Sequence, residues 1–379
     1  MLIVFAGTIG RSGVGGLAWA HMQYLAGFRQ LGHDAVYLED CGDESWVYHW
    51  ENQTLTNDLR YPADYVSACL EPLDMGTQWI YRAGSRSEGL SIEEIGEICS
   101  EADLLIVWAD ALGSWRREYD MPSRRAFIDV DPGFTQISLL QGDADLNALV
   151  DRCERLFTIA PGIGQPGSEI PTAGMEWHHL WPPVALEHWP FAEDGAASHF
   201  TSVMKWRGFH DAEFGGRSYG QKDREFPRFI GLPRLTDQPL RIAHLGADAE
   251  ELRSHGWDAV AGEIPSRTPW TFRDFVQESR AEFGVAKHGY VRMQDGWFSD
   301  RSVCYLASGR PLVVEDTGQG QYLPTGEGLV IFRDLEEAVG GIDTINSDYE
   351  RHRRRARQLA EDYFSTQKVI PHLLEVACS

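Results

Sequence analysis

The chain has 379 residues, beyond the roughly 250–300 at which a single hydrophobic core stops growing, so its length calls for two domains. With 43% hydrophobic and 24% charged residues it is too apolar for a disordered chain, and no apolar run approaches the ~18 residues of a membrane span. A formal charge of −23 sets nucleic acid and anionic membrane aside as expected partners, because clustered cations hold both, whereas a small anionic ligand needs only a few well-placed ones.

Leu2–Ala6 reads as a buried first strand. No basic residue precedes it and Gly7 breaks it, so it is too short for the apolar part of a signal peptide. Residues 7–16 read as a long flexible glycine-rich loop, 17–31 as a helix closed at Gly32, and 34–38 as a second strand ending in Glu39-Asp40. This is the start of an open parallel sheet flanked by helices. A helix at 91–100 and strands at 102–108, 126–130 and 156–159 continue it, each strand a short apolar run suited to burial on both faces. From 161 to 200 periodicity gives way to Pro, Gly and Trp, and a domain boundary is expected near residue 195. Strands at 200–206 and 240–246, a helix at 271–283, a helix at 302–307, and strands at 311–314 and Leu329–Phe332 follow. A charged helix spans 348–364, with residues 351–357 read as a solvated face. The six cysteines are widely spaced without C-x-x-C, which points to a reduced cytoplasmic compartment and to neither zinc nor a disulfide framework.

Gly13, Gly15 and Gly16 belong to a G-x-G-x-x-A run, with Glu39 about twenty residues on, as in a dinucleotide fingerprint. Gly13 stands seven residues past Ala6, however, too far for the tight turn that places a pyrophosphate on a helix N-terminus. A loop of that length lines a cleft instead, offering backbone N–H groups. Asp129-Val130-Asp131 reads as a turn, or as two carboxylates for a divalent cation. Asp131 and Asp110 both end strands facing the ligand crevice, where either suits a general base. The segment from Asp295 to Gly318 reads as a loop, a short helix stopped by Gly309, a strand and a polar turn. The helix N-terminus at Ser299, Asp300 and Ser302, with Arg301 beside it, suits a phosphate. Lysine occurs only at 205, 222, 287 and 368, and Lys287 is a candidate for reaching a phosphate or the acceptor. Trp297 and the group Trp177, Trp181 and Trp189 read as core or as sugar-stacking rings.

The run Leu306-Ala307-Ser308-Gly309-Arg310-Pro311-Leu312-Val313-Val314, followed by Asp316-Thr317-Gly318, resembles the donor-binding segment of group 1 glycosyltransferases of the GT-B fold. Gly32-His33-Asp34-Ala35-Val36 is similar to the opening of that family's second strand. The resemblance implies an α/β fold of two facing Rossmann-like domains: 1–195 on the acceptor side, 196–360 on the donor side, and 361–379 a helix crossing back. It implies an Arg and a Lys five apart on the donor diphosphate, which Arg217 and Lys222 match, with Arg207 competing for the first role. Of the family's two acidic residues, one falls on Cys304 and the other near Gly296, leaving Asp295 and Asp300 as the nearest substitutes.

The function expected is a cytoplasmic glycosyltransferase that needs neither metal nor cofactor. It would carry a hexose from a UDP- or dTDP-linked donor to a small-molecule or glycan acceptor. Arg301, Lys222 and Arg217 or Arg207 neutralise the diphosphate, Glu315, Asp316, Thr317 and Gly318 bound the donor sugar, and Asp110 and Asp131 face the acceptor. The alternatives are a nucleotide-sugar epimerase or silent binder of the same fold and, using Glu39, an NAD-dependent oxidoreductase.

Overall fold

The computed structural model describes residues 1–192 and 197–379, so the boundary expected near residue 195 lies outside the described residues. In the first half, strands β1 (Leu2–Ala6), β2 (Asp34–Asp40), β3 (Trp79–Ala83), β4 (Arg86–Gly89), β5 (Leu104–Trp108), β6 (Arg125–Asp129), β7 (Arg155–Thr158) and β8 (Trp177–His179) form one sheet. Its order is β8-β7-β6-β5-β1-β2-β3-β4, parallel throughout except for the β3/β4 hairpin. Ile3 pairs with Ala35 on one side and Leu104 on the other. All five residues of β5 are buried, as a strand covered on both faces requires. The order reverses between β1 and β5, which opens a crevice at their carboxyl ends.

The second half repeats the plan with β9 (Phe200–Lys205), β10 (Leu240–Leu245), β11 (Asp258–Ala261), β12 (Ala281–Gly284), β13 (Leu312–Glu315) and β14 (Leu329–Phe332). This sheet is ordered β11-β10-β9-β12-β13-β14 and is wholly parallel, with its reversal between β9 and β12. The helices that matter below are α1 (Gly15–Gln30), α2 (Pro269–Gln277), α3 (Asp300–Ala307), α4 (Tyr349–Leu359) and α5 (Thr366–Cys378).

Several expectations change. Residues 7–16 are not a flexible loop, because Ile9–Ser12 is a helical turn held from below by Glu39. The fully buried Glu39 carboxylate accepts the N–H groups of Gly10 at 2.8 Å and Arg11 at 2.7 Å and the Tyr37 hydroxyl at 2.7 Å. Its oxygens are committed internally, which removes the ribose ligand of the dinucleotide reading. Gly13 ends this turn at φ +55, whereas Gly15 and Gly16 open α1 against the second half. A Cβ on Gly15 would lie 2.1 Å from the Thr268 carbonyl oxygen, and one on Gly16 3.1 Å from the Phe272 ring.

The helix expected over 271–283 ends at Gln277, and Ala281–Gly284 is the strand beside β9. The four residues Ala-Glu-Phe-Gly are too few to reveal a period and continue the helix's pattern, which is why the sequence reads them as its tail. The 351–357 stretch is solvated only in part: Arg351 and Arg354 are exposed, whereas Arg357 donates to the carbonyls of Trp189 at 2.8 Å and Ala307 at 2.7 Å. Arg353 is buried with its guanidinium 4.6 Å from the Phe191 ring centre.

Apolar contacts join the halves. One cluster runs from β1 and α1 into Val303, Tyr305 and Leu306 of α3, and another joins Phe127, Phe134 and Ile137 to Ala286, Tyr290 and Met293. Helix α5 returns to the first half, where Thr366 Oγ1 donates to Gln30 Oε1 at 2.6 Å and Arg155 Nη2 donates to the Ser379 carbonyl at 2.8 Å. Among the described residues no helix is long and apolar enough to cross a membrane, and the six cysteines are free thiols.

Candidate active site

At the carboxyl end of β12 a small pocket opens. Gly284, Val285 and Ala286 form its floor, Ser299, Arg301 and Ser302 one wall, and Glu315 and Thr317 the other. Gly284 keeps the floor low, since a Cβ there would meet Val314 at 2.9 Å. Ser299 is the N-cap of α3 but makes no side-chain cap; Asp300 takes the Arg301 N–H, and the Ser302 N–H at the pocket wall is left to an anion. Arg301 is braced from behind. Its Nε and Nη2 both lie 2.6 Å from Glu282 Oε1, and its Nη1 donates to the Val203 carbonyl at 2.8 Å. Glu282 is fully buried on β12, so the pair fixes the guanidinium at the pocket wall before any ligand arrives.

Lys222 lies behind the floor and donates to the Val285 carbonyl. Burial, then the charges of Arg301 and Lys287, push its ammonium down to about 7. Glu315 accepts the Ala286 N–H at 3.1 Å, and its carboxyl is held far above the usual carboxylate range by burial and then by Glu225. Burial thus favours a proton shared within the Glu315–Glu225 pair, beside which Arg228 Nη1 donates to Glu315 Oε1 at 3.3 Å. Thr317 donates to the Trp297 carbonyl at 2.6 Å, and Gly318 takes φ +88 where a Cβ would strike the Gln294 carbonyl oxygen at 2.3 Å. Asp316 turns aside, accepting the Gly318 N–H at 2.9 Å and pairing with Arg333. Asp300 sits in the first turn of α3, where it accepts the Arg301 N–H at 2.8 Å. Cys304 faces Gln23 of α1 at the junction of the halves, with no acid in its place.

The structure does not bring Arg217 or Arg207 to this pocket. Arg217 is on an exposed hairpin strand paired with Glu169, and Arg207 pairs with Asp211 and Asp223. Gly15 and Gly16 pack against the second half and Gly13 lies beside Trp50, so none of the three lines the pocket.

Across the cleft, the three carboxylates at the ends of β5 and β6 have different surroundings. Asp129 points inward and is fully satisfied by the Thr135 and Thr158 hydroxyls and the Gln136 amide at 2.6–2.9 Å; burial pushes its carboxyl up to about 6. The D-x-D is thus a structural turn, with only its second carboxylate at the cleft. Asp131 accepts from Lys287 Nζ and the Tyr290 hydroxyl, both from the second half. Among the described residues no donor reaches the Asp110 carboxylate, and Asp110 holds φ +63, a left-handed conformation that costs a non-glycine residue roughly 1 kcal/mol. Arg11 donates to its carbonyl. The surrounding protein, and then the Asp131 charge, push the Asp110 carboxyl upward.

Sequence reasoning missed Glu282, hidden in the strand read as helix, and the Tyr290 ring, which stacks on Trp297 at 4.2 Å. No local signal marked the Asp131–Lys287 contact, whose partners are 156 residues apart.

Two facing open sheets, each with a crevice at its reversal of strand order, and a C-terminal helix returning to the first half make this a GT-B glycosyltransferase fold. No protein-family model and no curated protein matches the sequence. Among solved structures, an alpha-glucosyltransferase in complex with UDP and a 13-mer DNA matches with a TM-score of 0.63 and 12% identity, over 100% of this chain and 99% of its own. A glycosyltransferase from Rickettsia africae ESF-5 matches with a TM-score of 0.55 and 8% identity, and sucrose-phosphate synthase from Thermosynechococcus elongatus with 0.52 and 10%; both cover 99% of this chain and 97% of their own. At such identities the likeness is one of fold.

One expectation is overturned. The net charge of −23 argues against nucleic acid, yet a protein of this fold, aligned over nearly its full length, holds DNA. Net charge sums the whole surface, whereas a groove for a short nucleic-acid segment is set by the few groups lining it.

Proposed function

We propose that the protein is a glycosyltransferase that takes a sugar from a nucleoside diphosphate sugar held on the second half and passes it to a hydroxyl or amine presented at the first. The observation that carries this reading is the prebuilt anion site at the β9/β12 switch point: Arg301 locked by Glu282 beside the uncapped N-terminus of α3. A UDP- or dTDP-linked hexose would place its diphosphate there. Arg301, the α3 N–H groups and Lys222 would neutralise the leaving diphosphate, which is the work a divalent cation does in other transferases. Glu315 and Thr317, side by side at the pocket wall, suit the donor sugar's hydroxyls.

Asp110 is the acceptor-side base on this reading, because its carboxylate is free and its backbone is strained at the first switch point. Attack of the acceptor oxygen or nitrogen on the anomeric carbon breaks the bond to the diphosphate oxygen, and the acceptor proton passes to Asp110. DNA belongs among the acceptors to test, since matched glucosyltransferase structures hold it, two of them with a HMU base. The test is calorimetric titration with UDP, dTDP, GDP and NAD, followed by mass analysis of reactions containing donor sugars and hydroxyl acceptors, duplex DNA included. Binding of NAD alone, or nucleoside diphosphate binding with no sugar ever released or transferred, would sink the reading.

A further inference from the structure

Lys287 follows Ala286 in the pocket floor and is the N-cap of the helix His288–Met293. Its ammonium does not point to solvent. It lies 4.1 Å from the ring centre of Phe209, with Tyr290 at 5.2 Å and Phe134 at 5.6 Å, and it forms an ion pair with Asp131 of the opposite half. The same Asp131 oxygen accepts from the Tyr290 hydroxyl, and Tyr290 stacks on Trp297, itself part of the pocket wall. Aromatic rings hold a cation in place without neutralising it, so among the described residues the only ionic partner of Lys287 is Asp131.

We propose that Asp131 stands in for a donor phosphate. In the free protein Lys287 is paired across the cleft with this carboxylate, and a bound diphosphate takes the lysine over. The proposal rests on the glycosyltransferase reading and extends it with a third donor cation, Lys287, and an internal competitor. Three features support the exchange. The Asp131 side chain is 36% exposed, so water can solvate its carboxylate when the lysine leaves it. A diphosphate offers more negative charge than one carboxylate. Lys287 also lies close enough to Lys222 for the two charges to repel, and an incoming anion relieves that repulsion. The exchange would also release Asp131 and Tyr290 towards the acceptor side of the cleft.

The distinguishing experiment measures UDP and inorganic pyrophosphate binding to the full chain and to Asp131→Asn, Lys287→Gln and the double variant. Removing the competitor should tighten binding by about threefold or more, and removing the lysine should weaken it by about tenfold. In the Lys287→Gln background the Asp131 change should have no effect. Asp131→Ser, which also removes the charge at this partly exposed position, serves if the asparagine variant folds poorly. Unchanged or weaker binding in the Asp131 variants overturns the proposal, even if turnover falls, because a carboxylate serving only the acceptor would affect turnover alone. Absence of UDP and pyrophosphate binding in the unaltered protein would instead remove the glycosyltransferase reading on which the proposal stands.

Discussion

The two switch points share a topology and differ in everything placed on it. At the second, cations converge: Arg301 is locked by a buried glutamate, Lys222 lies beneath the floor, and the open end of a helix adds its dipole. At the first, carboxylates converge, one turned inward, one borrowed by Lys287 and one left free on a strained backbone. An open parallel sheet supplies only a crevice. The residues at the strand ends decide whether it receives an anion or withdraws a proton, and here the two crevices divide those tasks.

The largest expected effect breaks the cationic side. Arg301→Ala leaves Glu282 buried without its partner, which should cost about 3–5 kcal/mol in urea unfolding. Arg301→Lys keeps a charge but loses the fork onto Glu282 Oε1 and the Val203 carbonyl, and UDP affinity should still fall by about tenfold. Stability and affinity both unchanged would mean that the second switch point is not organised around this pair.

Next in size is a test of the carboxylate side. Asp110→Asn preserves a residue that tolerates φ +63 but removes the base. Turnover should drop at least about 100-fold while UDP affinity stays within twofold. A variant retaining full turnover would move the base elsewhere or assign proton transfer to the leaving diphosphate itself.

How far the sequence discloses this division depends on chain distance. The segment from Trp297 to Thr317 is contiguous, so loop, helix and strand carry Ser299, Arg301, Ser302, Glu315 and Thr317 into one pocket, and their spacing already placed them together. Buried strands such as Leu2–Ala6 and Leu104–Trp108 announce themselves as unbroken apolar runs. Glu282 does not, because a four-residue strand ending in glycine continues the preceding helix's pattern and its acid looks like an exposed helix residue. Arg217 and Lys222 have an attractive spacing in sequence, but the hairpin turns the arginine outward while Lys222 heads a short helix facing β12. The Asp131–Lys287 pair joins the ends of two strands in different halves, and only the assembled cleft reveals it.

Lys222 gives the comparison a pH dependence. A lysine whose free-protein value is lowered to about 7 is largely neutral above that pH, and a bound diphosphate favours its charged form. Binding then takes up a proton, so UDP affinity should weaken as pH rises above about 7, by at most about tenfold per pH unit. Titrations from pH 6 to 9 in Lys222→Met should lose that slope. An equal slope in both proteins would assign it to another group.

The smallest expected effect concerns the arginines that chain spacing favoured. Arg217 is about half exposed and pairs with an exposed Glu169, and Arg207 is similarly placed between Asp211 and Asp223. Arg217 shares its charge with an exposed acid, and Arg207, itself half exposed, with two partly buried ones, so each is already compensated where water and salt reach the guanidinium. Arg217→Ala and Arg207→Ala should therefore change UDP affinity by less than about twofold at physiological salt, against the tenfold expected at Arg301. If Arg217→Ala instead weakens binding as strongly as Arg301→Lys, the hairpin must swing inward when donor binds, and the cationic side of the comparison would be completed by ligand rather than built in advance.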